Sequence, residues 1–232
     1  PLIFGVAFGN LLQGVPFSFD ESMVSTYTGS FWALLNPFAL LCGVVSSAMV
    51  TAHGGIYLAH RTEGEVQSRA RSAALVAIAV MVVGFALAGI WVATGIEGYR
   101  ITSVVTPNGA ADPLAKVVVR AAGAWLDNYG RWPIAIAVPI VGFGGALLAA
   151  LALRMGKTLL AFIASSLAMA GVIGTAGISM FPFMMPSSSS LSSSLTVWDS
   201  VSSFMTLAIM LVVVILFMPL IIFYTGWAYR VM

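Results

Sequence analysis

The chain has 232 residues, 60% of them hydrophobic and 8% charged, with a mean hydropathy of +1.02. Soluble domains carry about 25% charged residues, so this composition excludes an ordinary soluble domain and predicts an integral membrane protein. A formal charge of +2 is too small to suggest a nucleic-acid partner, and a single cysteine excludes an internal disulfide framework.

Pro1 to Leu12 is apolar but would rise only about 18 Å as a helix, against roughly 30 Å of hydrocarbon. It carries no basic leader. It reads as the tail of a truncated spanning helix, and the whole of 1–232 as a single transmembrane domain, the C-terminal part of a longer subunit. Gln13 to Ser30 reads as a loop. The first complete span is expected over 31–60, with Asn36-Pro37 as N-cap and first-turn proline. Cys42 within it reads as a buried, inert thiol. Gly43, Ser47, Thr51 and Gly55 recur every four residues, a strip of small side chains where another helix or subunit can approach closely. His53, Tyr57 and His60 share a face near the end of this span. The chain has only these two histidines, about 10 Å apart along one helix. They make neither a bis-histidine haem pair nor a compact metal site, and the expectation is that they are solvated or hydrogen-bonded.

Arg61 to Arg71 reads as a short charged loop before the second span, 72–96. The outer loop 97–132 is the longest connection. Asp112-Pro113 looks like a helix start, and Leu114, Val117, Val118, Ala121 and Trp125 then fall on one helical face. That pattern predicts a short amphipathic helix on the membrane surface or on a partner, or equally a helical loop packed on the chain's own ends. The third span is expected over 133–153 and, after a five-residue turn, the fourth over 159–183. Gly171, Gly174 and Gly177 lie on its tightly packable side. Pro182 must end or kink the helix that reaches it, and Pro186 repeats the instruction. The serine run Ser187 to Ser194 is too polar to span. Trp198 is expected to anchor the loop at the membrane surface. Asp199 is expected to cap the fifth span, 203–230, or simply to be solvated. The fold class is all-α, a polytopic bundle of five complete spans plus the end of a truncated one.

Arg61, Arg69, Arg71, Arg154, Lys157 and Arg230 fall on one side if the spans alternate, which puts the C-terminus in the cytoplasm. All eight carboxylates lie in loops or at helix ends, where an ion-coupled path would want one at mid-depth. There is no phosphate loop, CxxC or nucleophile–base pair. No catalytic, cofactor-binding or metal-ligating residue is assigned.

Gly177–Asp199, with its Phe-Pro-x-x-x-Pro-Ser core and Thr-Val-Trp-Asp ending, resembles subunit II of the cytochrome bd-type quinol oxidases, including the cyanide-insensitive branch. Gly5 to Pro16, Leu35-Asn-Pro-Phe38 with Gly43-Val-Val45, Phe85 to Trp91 and Arg120 to Leu126 resemble it too, in the right order along nearly the whole chain. The serine run is richer in serine than such a subunit leads one to expect, and little polar tail follows the last span. The resemblance implies a complex of a bacterial inner membrane that oxidises quinol, reduces oxygen to water and generates proton motive force. It implies a partner subunit I that carries haems b and d and the quinol-oxidising loop. This subunit would be haem-free and pack on subunit I. The resemblance leaves room for a small accessory subunit and for a bound quinone or lipid. The family's acidic proton-path residues lie mainly in the earlier helices, so none is carried over. Two other readings stand beside it. A fragment of a secondary transporter is motivated by the breaks at Asn36-Pro37 and Pro182 to Pro186. A cytochrome b type subunit is disfavoured by the histidine spacing.

Overall fold

A computed structural model describes residues 1–103 and 112–231. Among them, five helical stretches are long and apolar enough to cross a membrane: Pro37–Arg61, Gly64–Gly95, Pro133–Arg154, Thr158–Met180 and Phe204–Val231. In a bilayer the backbone must satisfy its own hydrogen bonds, so apolar length alone forces these segments into helices. The α-helices are α1 (Leu2–Gln13), α2 (Pro37–Arg61), α3 (Gly64–Gly95), α4 (Asp127–Arg131), α5 (Ala137–Arg154), α6 (Thr158–Met180) and α7 (Phe204–Val231). Asn36 caps α2 as its spacing predicts, accepting a hydrogen bond from the Ala39 amide at 2.9 Å, with Pro37 in the first turn.

The core of the bundle lies between α2, α3, α5 and α6 and is built largely of alanine. Ala52, Ala59, Ala74, Ala149, Ala152, Ala161 and Ala164 are all nearly or fully buried. Lipid is as apolar as leucine, so helices gain from close backbone approach rather than from hiding large side chains. Most of the large apolar residues accordingly face outward, and Met49, Ile56, Ile78, Met81 and Leu153 are exceptions enclosed in the core. Helix α7 takes this to its limit: it is apolar on every side and has no buried residue.

Three antiparallel hairpins sit at the end of the bundle where α1, α3 and α6 finish. They are β1 (Phe17–Phe19) with β2 (Ser25–Tyr27), β3 (Glu97–Ile101) with β4 (Val118–Ala122), and β5 (Phe183–Met185) with β6 (Leu195–Thr196). The opposite end carries the α2–α3 and α5–α6 turns, and with them Arg61, Arg69, Arg71, Arg154 and Lys157.

Several expectations are corrected. The amphipathic helix after Asp112 does not form. Pro113–Ala115 is a single 3-10 turn, and Val118–Ala122 pairs residue for residue with Glu97–Ile101. The β-branched run Val117-Val118-Val119 favours a pleated strand, and the partner strand lies close by. The charged loop 61–71 shrinks to Thr62 and Glu63, because α3 begins at Gly64. Glu65 and Arg69 support that extra turn as an i,i+4 pair at 2.6 Å. The fourth span ends at Met180, two residues before Pro182. Asp199 caps nothing, since α7 starts only at Phe204.

Candidate functional site

An apolar cavity of about 900 Å³ opens between α1, α2, α3, α6 and the segment 126–139. Phe4, Phe8, Phe38, Met49, Phe85 and Met169 form much of its wall, and Cys42 also borders it. Ser46 borders it partway along α2, and a second polar group lies toward the hairpin end. The Tyr129 hydroxyl lies 3.2 Å from the Thr175 carbonyl and 3.1 Å from the Ser179 hydroxyl. The volume lies within the range of small-molecule sites, and an apolar wall with a few convergent hydroxyls is their usual chemistry.

Above the cavity, the outer loop is locked down by two constructions. The first is a buried ion pair. Lys116 is 5% exposed and donates from Nζ to Asp199 Oδ2 at 2.8 Å and to the Pro113 carbonyl at 2.7 Å. The same carboxylate oxygen accepts from the Thr196 amide and hydroxyl, at 3.0 and 2.6 Å. Burial by itself would raise the Asp199 pKa. The Lys116 and Thr196 hydrogen bonds and the lysine charge outweigh it, and the carboxyl sits below its ordinary value. The second is an aromatic cluster of Tyr99, Trp125 and Phe183, with ring centroids 5.6 to 6.1 Å apart. Burial pushes the Tyr99 phenol up, Arg120 beside it opposes this, and Glu97 adds to it.

The serine run forms a buried knot. Ser187, Ser193 and Ser194 are fully buried. The Ser187 amide donates to Ser194 Oγ at 2.9 Å, the Ser187 hydroxyl to the Phe17 carbonyl, and the Phe19 amide to Ser193 Oγ at 3.1 Å. Each hydroxyl meets a backbone group that would otherwise be orphaned. Serine spacing alone carries no signal for this, because the Phe17 and Phe19 partners lie 170 and 174 residues away in sequence.

The small-residue strips divide between neighbours. A side chain at Gly43 would meet Leu2 and Val6 of α1, and one at Gly55 would meet Ala70 and Ala74 of α3. Twelve residues of α-helix leave a net rotation of about 120°, so one row of small residues serves two helices. Ser47 and Thr51, between them, border a groove against α3. On α6, Gly171 lies against the Gly142 backbone of α5 and Gly174 against Val138, whereas Gly177 is exposed with nothing within 4 Å. Gly171→Leu should therefore part α5 from α6 and destabilise the bundle by roughly 1–3 kcal/mol. Gly177→Leu should stay within about 0.5 kcal/mol. Thermal unfolding of both variants in the same detergent checks the contrast. Trp198 is half-buried, edge-on to Phe181 at 6.3 Å.

Both histidines engage hydroxyls of α6. His53 Nδ1 is 2.8 Å from Ser165 Oγ, and His60 Nδ1 is 2.9 Å from Thr158 Oγ1. Ser165 spends its own hydrogen on the Phe162 carbonyl at 2.8 Å, so His53 Nδ1 is the donor. Among the described residues, no three of His, Cys, Asp and Glu gather as a metal set would.

A family model described as cytochrome bd terminal oxidase subunit II matches residues 1–232. The chain is 52% identical over 229 residues to cytochrome bd-I ubiquinol oxidase subunit 2 of Escherichia coli K12, covering 99% of this chain and 60% of that protein. It is 46% identical over 231 residues to a probable cytochrome oxidase subunit 2 of Haemophilus influenzae, covering 100% and 61%. It is 26% identical over 235 residues to cytochrome bd ubiquinol oxidase subunit 2 of Bacillus subtilis, covering 100% and 59%. The chain thus spans about three-fifths of the length of the curated relatives it matches.

Proposed function

This chain belongs to the family of subunit II of the cytochrome bd terminal oxidases, and from that membership we propose that it serves in a bd-type complex that oxidises quinol and reduces oxygen to water. The single observation that carries the reading is the family match over the whole chain. In this proposal the subunit holds no haem. It supports a haem-bearing subunit I, and a small accessory subunit can join them. The engagement of His53 and His60 with Ser165 and Thr158 supports a structural role for both. The membrane is the bacterial inner membrane. The gathering of arginines at one end supports a cytoplasmic C-terminus, and complexes of this kind generate proton motive force. Ser47, Thr51 and Gly177, the strip members open to their surroundings, are available to helices outside this chain.

The cavity fits a quinone or a lipid. A long apolar tail would lie among Phe4, Phe8, Met49 and Met169, and a polar head would lie against the hydroxyls of Tyr129 and Ser179. A quinone bound there would supply two-electron redox chemistry. This chain's own part is to hold it and to exclude water from the tail.

A reduced-minus-oxidised spectrum tests the assignment. The full-length protein purified alone should be silent. The complex it draws from native membranes should show b- and d-type haem bands, and organic extraction of the same sample should release a quinone. Haem bands in the lone protein would make it a cytochrome in its own right, and a haem-free complex would end the oxidase reading. The transporter reading gains little from the fold, because the Asn36-Pro37 break lies at the start of α2 and Pro182 lies just beyond α6.

A further inference from the structure

The arginine end of the bundle is short of counter-charge. Of its cations, Arg69 pairs with Glu65, but among the described residues Arg61, Arg71, Arg154 and Lys157 form no ion pair. Arg71 is the unusual one. It continues the stripe of Ala74, Ile78 and Met81, each nearly or fully buried, so it sits over the mouth of the four-helix core rather than on an outer face. Its Nε is buried and has no hydrogen-bond partner, the one such side-chain nitrogen or oxygen among the described residues. A guanidinium N–H withdrawn from water without an acceptor is costly, and the usual remedy is an anion that takes the planar fork.

The surroundings suit an anion as well. Helices α3 and α6 both begin at this end, and neither start has a side-chain cap, so their first amides lack side-chain acceptors. One hydrogen bond ties the two turns together, His60 of α2 to Thr158 of α6, and the Gln67 side chain braces the α2–α3 turn by donating to the Ala59 carbonyl at 3.0 Å. These are the ends of helices that span the bilayer by length, so the patch lies at headgroup depth. The abundant anion at that depth is lipid phosphate.

We propose that this end holds the phosphate of an anionic phospholipid, with Arg71 as its central ligand and Arg61, Arg154 and Lys157 around it. A zwitterionic lipid brings a cation of its own into a patch already rich in them, so a net negative headgroup is the better match. The site is independent of the oxidase assignment and lies at the other end of the spans from the hairpins.

The test uses the full-length protein, with whatever subunits it carries, in nanodiscs of phosphatidylcholine with and without phosphatidylglycerol. Native mass spectrometry counts the lipids retained, and thermal unfolding reads their effect. Wild type should retain phosphatidylglycerol over phosphatidylcholine and melt higher in its presence. R71Q should weaken that retention at least fivefold, the equivalent of about 1 kcal/mol per basic residue at a membrane surface, while melting like wild type in phosphatidylcholine alone. R69Q should behave as wild type in both. If R71Q cannot be purified, the R154Q/K157Q double variant carries the same expectation. Equal retention of the two lipids by wild type would overturn the proposal, as would unchanged retention in R71Q. So would an equal thermal shift from inorganic phosphate, which marks a soluble-anion site. Release of an acidic polypeptide by R71Q with no lipid retained would also overturn it.

Discussion

Lys116→Met should loosen the hairpin end by about 3–5 kcal/mol, because it strands the Asp199 carboxylate in a buried site. The two side chains are 5% and 10% exposed, so water does not screen the loss. Asp199 keeps its Thr196 bonds in the variant, but these hydrogen bonds do not neutralise the charge. The pair joins two loops 83 residues apart, so the effect should be local. Hydrogen exchange should quicken over 113–122 and 193–200 while the α5–α6 pair stays protected. Removing both partners should do less harm than removing one. Lys116→Met with Asp199→Leu should recover a good part of the loss, since no unpaired charge then remains. Equal protection in wild type and Lys116→Met would show that the pair contributes nothing. The pH dependence follows from the Asp199 shift. Its pKa is lowered in the folded state, so its contribution is present above the unfolded value of about 3.9 and is lost as pH falls through the lower folded one. Wild type should therefore loosen at this end only below about pH 4. In Lys116→Met the Asp199 pKa should rise, and protonation should instead relieve the stranded charge.

The spans were legible in the sequence because lipid imposes one simple demand, apolar length without mid-depth charge, and five segments meet it. Asn36-Pro37 and Pro182 marked helix ends correctly, since a cap and a missing amide act within one turn. The hairpin end is far less legible, and the reasons are physical. Leu114, Val117, Val118, Ala121 and Trp125 satisfy a helical period, but only the β3 strand some twenty residues upstream decides that Val118–Ala122 is extended. The Val117–Val119 run was the available warning. Asp199 resembles a cap in sequence because a carboxylate before an apolar run is the usual signature of one, whereas its partner, Lys116, is remote in sequence. The serine knot was missed for the same reason. The strip from Gly43 to Gly55 is a mixed case. The residues were identified as close-packing positions, but four-residue spacing drifts around the helix and distributes them over α1, α3 and an open groove. Local chemistry fixes where helices start and stop, and only tertiary placement decides which neighbour each face meets.

Trp125→Ala should destabilise the hairpin end by about 3–5 kcal/mol, the usual cost of emptying a fully buried aromatic site. Trp125 is 1% exposed and is the largest side chain so enclosed. Its backbone nitrogen lies where a Cβ on Gly98 would fall, at 2.6 Å, so β3 has closed on it as tightly as glycine permits. The indole also does something that area does not count. Helix α1 ends at Gln13, and its last carbonyls have no partner within the helix. Trp125 Nε1 donates to the Leu12 carbonyl at 2.9 Å, and the Tyr99 hydroxyl to the Gln13 carbonyl at 3.3 Å. Two residues of the outer loop thus serve as the C-terminal cap of α1. Trp125→Phe separates the two roles: it keeps most of the ring but leaves the Leu12 carbonyl without its donor, and should cost about 1–3 kcal/mol. In both variants exchange should quicken at the end of α1 as well as in β3 and β4. The bundle core around Ala149 and Ala161 should be unaffected, because it shares no residue with this cluster. Hydrogen exchange by mass spectrometry resolves these segments. If Trp125→Phe matched Trp125→Ala, the ring area would be irrelevant and the hydrogen bond would carry the whole effect. If Trp125→Phe matched wild type, α1 would need no cap from the loop. An intermediate value places the outer loop as a clamp, set by packing and fastened by one hydrogen bond, on the helix that borders the apolar cavity.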